Sequence, residues 1–160
     1  MEIIIRHTIS SDIDYISKHM RLADKKEVYR ASGNRPRRAL ELARKVSECW
    51  TGLIDGVPVA IFGCSGADSV TGRGSPWMLG TDEIKDHGVA IAGISKRFVA
   101  FLQQSYYYLE NYVDCDNELS IKWLKWLGFS FDDPCPYGLF GKSFMKFYWK
   151  SEDVYTSELQ

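Results

Sequence analysis

"DNELSIKWLKWLGFSF", residues 116–131, is the stretch on which the fold turns. Asn117 suits the cap of a helix, and Glu118 puts a carboxylate in its positive first turn. Leu119, Ile121, Trp123, Leu124, Trp126 and Leu127 cover a broad apolar arc, with Glu118, Lys122 and Lys125 opposite. Gly128 can take the left-handed conformation that ends such a helix, and Phe129 can fold back on it. The expectation is a mostly buried helix feeding an apolar strand, with Trp123 and Trp126 widening its buried face.

The rest of the chain is organised around that pair. Residues 2–8 read as a first strand, rich in β-branched residues. A helix follows, with Ser11 and Asp14 as a capping box and Ile13, Ile16 and Met20 on one face. Residues 21–35 are polar and basic, with Gly33-Asn34 marking a break. Pro36 opens a second helix with Ala39, Leu40, Ala43 and Val46 aligned. Asp55-Gly56 is a hairpin turn between two apolar strands. Residues 65–75 read as a Gly/Ser-rich loop and "PWMLGTDEI" as a short strand. Residues 82–92 carry no clear pattern. A third helix runs from Ile94 to Tyr108, and "LENYVDC" is the strand before the opening stretch. "GFSF" starts another strand. Pro134, Pro136 and Gly138 enforce a loop, and "SFMKFYW" is the last strand. The predicted fold class is α/β, more narrowly α+β: a mixed sheet of six to seven strands with about four helices, one domain over residues 1–150 and a polar tail at 151–160.

Composition narrows the function classes. The 160 residues are 45% hydrophobic and 26% charged, with net charge -1, so no global field attracts nucleic acid. Lys25, Lys26, Arg30, Arg35, Arg37, Arg38, Arg44 and Lys45 make a basic patch, read as a solvated face rather than a nucleic-acid contact. Cys49, Cys64, Cys115 and Cys135 form no Cys-x-x-Cys pair, which predicts free thiols and no zinc site. No apolar run is long enough to span a membrane, and no signal sequence is visible. The aromatics Tyr106, Tyr107, Tyr108, Tyr112, Tyr137, Phe144, Phe147, Tyr148 and Trp149 divide between core and a possible homodimer or protein-contact surface.

Asn117, Ser120, Ile121 and Gly128-Phe129, following a strand, resemble the C-terminal motif of the GNAT N-acyltransferases, and the element order resembles that fold throughout. The resemblance implies a sheet whose central strands splay apart, acyl-CoA in the gap, and Asn117 beside the pantetheine arm. A narrower resemblance is to the small internal virion proteins of short-tailed bacteriophages, carried by the hairpin around Gly56 and Pro58, Trp77 with "TDEI", "SKRF", "NYV" and the Asn117 motif. It implies virion assembly or an internal virion component, with phage or host proteins as partners and the host cytoplasm or virion as the location.

The catalytic parts that the broader family implies are incomplete in the sequence. Its Gln/Arg-x-x-Gly-x-Gly/Ala loop holds the CoA pyrophosphate on backbone N–H groups. The expected place is "HGVAIAGISKRF", residues 87–98, where Gly88 and Gly93 stand five apart. Ile94, Ser95, Lys96 and Arg97 at a helix start, with Asn117, are the contacts expected if CoA binds. The family's enzymes usually carry a tyrosine acid seven residues after the asparagine; here that position is Leu124, which has no proton to give. Glu83 and His87, with Asp82 nearby, are the local acid–base candidates, while His7 and His19 read as structural or exposed. The sequence therefore reads first as a non-enzymatic phage protein on a degenerate acyltransferase fold, with no cofactor. The alternatives are an active N-acyltransferase moving an acyl group from acetyl-CoA or another acyl-CoA to an amine, and a host-protein binding module.

Overall fold

The computed structural model describes residues 1–68 and 70–152, with the backbone alone at Ala67. The chain runs β1 (Ile3–His7), α1 (Ser10–His19), α2 (Leu22–Ser32), α3 (Pro36–Val46), β2 (Cys49–Ile54), β3 (Val57–Asp68) and β4 (Arg73–Gly80). It continues through α4 (Glu83–Asp86), α5 (Gly88–Ser105), β5 (Tyr108–Asp114), α6 (Glu118–Trp126), β6 (Ser130–Phe131), β7 (Cys135–Tyr137) and β8 (Lys142–Lys150). The strands form one mixed sheet in the order β1-β2-β3-β4-β5-β8-β6, with β7 also on β8. Each paired contact is antiparallel except β4 with β5, which is parallel. The expected mixed, splayed sheet is present. Four cysteines are free thiols, and no helix among the described residues is long and apolar enough to cross a membrane.

Two layers cover the sheet. Along β3 and β4 successive side chains alternate between faces. Ile61, Trp77 and Leu79 pack with Ile13, Ile16, Met20 and Leu40 of α1 and α3. Ala60, Phe62 and Met78 pack on the other face with Ile84, Ile91 and Ile94 of α4 and α5. A third cluster joins Val99 and Leu102 of α5 to Leu109, Val113, Phe129 and Phe147, with α6 partly buried against it. The β2–β3 turn is as expected, with Asp55 at φ 49 and Gly56 at φ 80.

Local departures from the sequence reading have physical causes. Residues 21–35 hold a full helix, α2, because its inward face is ionic and shows no apolar period: Asp24 is 2% exposed. Gly33, at φ 74, ends it. The first turn of α1 is fixed by Asp12, not by Ser11 and Asp14. Its carboxylate accepts from Ile9 N–H at 2.9 Å, from the Thr51 hydroxyl at 2.9 Å and from Arg6 at 2.7 and 3.0 Å. Most of residues 65–75 extend β3 and β4 rather than forming a loop. The third expected helix begins six residues early, at Gly88, and a short α4 precedes it. A strand, β7, sits inside the proline-bounded loop. The expected tail lies outside the described residues after residue 152. Helix α6 is not the buried element expected: none of its residues is buried, and Trp126 is 58% exposed.

Candidate functional site

β4 and β5 are in register only at Arg73–Tyr108 and Gly74–Leu109. One side chain extends the joint: Asn111 Nδ2 donates to the Pro76 carbonyl at 3.0 Å. Beyond it the strands part. Thr81 N–H bonds to Val59 O on β3 at 3.0 Å, whereas Gly72 O accepts from Tyr107 and Tyr108 on the β5 side at 2.8 and 3.2 Å. Odd positions of β4 thus turn their backbone groups to β3 and even ones to the gap. Gly80 is met there by α2: its N–H reaches Asp24 Oδ2 at 3.0 Å and its carbonyl accepts from Arg21 N–H at 2.9 Å. The Met78 N–H and C=O also face the gap, with no strand opposite.

A cavity of about 550 Å³ fills this gap. Its lining comes from both layers: Val28, Ala39 and Leu42 of α2 and α3 on one side, Phe98 of α5 with Trp123 and Leu124 of α6 on the other. The cavity therefore passes through the sheet between β4 and β5. This explains α6, whose apolar arc faces empty space. Trp123 belongs to the wall of that space rather than to a filled core.

The polar part of the wall is an ionic cluster on α2. Asp24 Oδ1 accepts from Arg21 Nη1 at 3.0 Å and from Asn117 Nδ2 at 3.4 Å. Glu27 accepts from Asp114 N–H at 2.8 Å and from Asn117 Nδ2 at 3.0 Å. Arg21 Nη2 reaches Asn117 Oδ1 at 3.4 Å. Arg30 covers Asp114 at 2.9 Å and Asp116 at 2.8 Å. Burial, assisted by the charges of Asp24 and Asp114, pushes the Glu27 carboxyl up to about 7. Burial raises Asp24 as well, although Arg21 and the Gly80 N–H oppose it. Among the described residues, three buried polar atoms of the cavity lining have no partner: Arg21 Nε, Trp77 Nε1 and Ser95 Oγ.

The residues singled out from sequence do not form one group. Asn117, 2% exposed, stands at the N-cap of α6 but its side chain makes no cap bond; its amide is spent on Asp24, Glu27 and Arg21. Ser95 lines the cavity, but Ile94 is buried against Phe62, and Lys96 and Arg97 are exposed, Lys96 lying 5.6 Å from the Trp126 ring. All four lie inside α5, past its free N–H groups. Those belong to Gly88, Val89 and Ala90, since Ile91 N–H already bonds to His87 O. Lys85-Asp86-His87-Gly88-Val89-Ala90 matches the Gly-x-Ala end of the family's loop pattern, with a lysine where the pattern has Gln or Arg. Glu83 and His87 pair with each other at 3.6 Å on the first turns after β4, and neither lines the cavity. The basic patch is partly neutralised, Arg30 by Asp114 and Asp116 and Arg37 by Asp14 and Glu41. Arg21, Asp24 and Glu27 were missed altogether. Their spacing of three along a segment of good helix formers was the available signal.

No protein-family model matches the sequence, and no curated protein does. Solved structures do match. Spermidine N-acetyltransferase from Vibrio cholerae, in complex with CoA and spermine, aligns with TM-score 0.72 at 10% identity, over 93% of this chain and 95% of that one. A chimera of that enzyme with hSSAT gives 0.72 at 12% identity, covering 97% and 99%. An N-acetyltransferase from Staphylococcus aureus gives 0.71 at 15%, covering 94% and 99%. These findings correct the narrower resemblance: the matches are bacterial acetyltransferases, not phage virion proteins. The first reading, a non-enzymatic virion component, falls with it. Its two supports were a missing glycine spacing, now seen as Gly88-x-Ala90, and Leu124, which bears on the leaving group alone. At these identities the likeness speaks for architecture, and the architecture of this chain is the splayed, GNAT-like one.

Proposed function

We propose that this chain is an N-acyltransferase that takes an acyl group from acyl-CoA and passes it to an amine. The observation that carries the reading is the through-sheet cavity at the β4–β5 splay, with a helix N-terminus at the exit of β4. The residues fit the donor. Met78 offers an N–H and a C=O to the amides of a pantetheine arm, Ser95 a free hydroxyl, and α5 and α6 an apolar wall. The N–H groups of Gly88, Val89 and Ala90, with Lys85, suit a pyrophosphate. A volume of about 550 Å³ is of the size that buries such a ligand.

The donor would lie on the α5–α6 side, which leaves the α2–α3 side for the amine. Attack on the thioester carbonyl forms the C–N bond and expels the CoA thiolate. Leu124 can give that thiolate no proton; a thiolate is a stable enough leaving group to depart without one, and the attacking nitrogen itself has a proton to lose. Calorimetric titration with acetyl-CoA tests the donor half, and release of free thiol with a panel of amines, spermidine included, tests the acceptor half. Micromolar binding and amine-dependent thiol release are expected. No binding at millimolar acetyl-CoA would end the reading.

A further inference from the structure

Resting on that reading, we infer that the acceptor is a single ammonium group on an apolar stem, held in the corridor between α2 and α3, and that Glu27 takes its proton to make the nucleophile. Charge bookkeeping inside the cavity is the first argument. Asp24 is paired with Arg21, and Asp114 with Arg30. Among the described residues Glu27 has hydrogen bonds from Asp114 N–H and Asn117 but no cation. The cavity therefore has room for one positive charge, opposite Glu27. The corridor itself narrows the choice further. Val28, Ala31, Ala39, Leu42, Ala43 and Val46 line it, and the charged side chain on its α3 wall is Lys45, a cation. An alkyl stem gains by burial there, whereas a second ammonium would meet apolar walls and a like charge.

The atoms balance. Glu27 accepts one proton from the ammonium group, and the neutral amine attacks the acyl carbon. The C–S bond breaks with its electron pair on sulfur, and the second nitrogen proton goes to the thiolate or to water. The products are an N-alkyl amide and free CoA thiol. A carboxyl that titrates at about 7 is matched to this transfer. The groups that face it are Asp24 and Arg21 on α2, Asp114 on β5 and Asn117 before α6, with Arg30 bound to Asp114. From elsewhere on the wall Tyr112, Tyr137 and Lys45 look into the same space.

The test compares hexylamine with hexane-1,6-diamine at saturating acetyl-CoA, as kcat/KM across pH, in the unmodified protein and in Glu27→Gln. The monoamine is expected to be preferred by at least about tenfold, because the apolar walls and the like charge of Lys45 oppose a second ammonium. Its kcat/KM should rise through about pH 7 and then level off. In Glu27→Gln the levelling should vanish, leaving a rise toward the amine's own titration, and the rate at neutral pH should fall on the order of a hundredfold with acetyl-CoA affinity unchanged. Equal or better use of the diamine, or an unchanged pH profile in the variant, would overturn the inference. Should the variant not fold, the amine preference and pH limb of the unmodified protein decide alone. Turnover that favours the diamine removes this inference and leaves the acyltransferase standing; absence of acetyl-CoA binding removes both.

Discussion

Glu27→Gln has a consequence for stability that is independent of any substrate, and its sign changes with pH. The Glu27 carboxyl ordinarily titrates at 4.5 and is pushed up to about 7 in the folded chain. Between those values the folded state holds a proton that the unfolded chain has lost, so stability falls as pH rises across the window and is fully present below it. At about 1.4 kcal/mol per pH unit, the loss across the window is about 3 kcal/mol. Gln carries no charge to desolvate and keeps an acceptor for Asp114 N–H, but it faces the Asn117 Nδ2 donor with a second NH₂, a loss of about 1 kcal/mol. The variant should therefore be about 1 kcal/mol less stable than the parent near pH 4 and about 2 kcal/mol more stable near pH 8.5. Urea unfolding of both proteins at the two pH values measures this. A difference in stability that does not change with pH would refute the claim that Glu27, half-buried at the cavity wall, is desolvated without a counter-charge.

Other perturbations probe separate parts of the argument. Asp24→Ala leaves Arg21, 6% exposed, without its carboxylate and Gly80 N–H without its acceptor, and should cost about 3–5 kcal/mol in chemical unfolding. A cost below about 1 kcal/mol would show that α2 is not anchored to β4 through this pair. Leu40→Ala, at a site 1% exposed between α3 and the sheet, should lower stability by about 2–5 kcal/mol in the same assay. Lys85→Ala removes an exposed cation before α5; it should weaken acetyl-CoA binding several-fold in calorimetry while leaving the thermal midpoint in place, and unchanged affinity would move the pyrophosphate site elsewhere.

How much could be read from sequence depended on what each segment buries. The central strands, α1, α3 and α5 bury apolar side chains, so period and turn residues located most of their length. Helix α2 turns Asp24 and Glu27 inward beside Arg21 at its N-cap, so its inner face looked like solvent, and the most chemically loaded element went unseen. Asn117 was found as a landmark of the fold, but its partners lie 90 and more residues away on α2, beyond the reach of any local pattern. Helix α6 misled in the opposite way: an apolar arc facing a cavity has the same sequence signature as one facing a core. The start of α5 was lost because α4 and α5 follow each other with only His87 between them.

The two register pairs that join β4 to β5 divide the chain in a further sense. Strands β1 to β4 all precede residue 81 and strands β5 to β8 all follow residue 107, so each half of the sheet is an uninterrupted run of sequence closed by antiparallel neighbours. The halves are held by antiparallel pairing within and by a seam two residues long between. A sheet built this way can change the angle at the seam while leaving every other ladder bond intact. Whatever fills the gap then serves as a wedge that sets that angle, and its arrival would be felt as stiffness along the joint before it is seen as a shift of any single side chain.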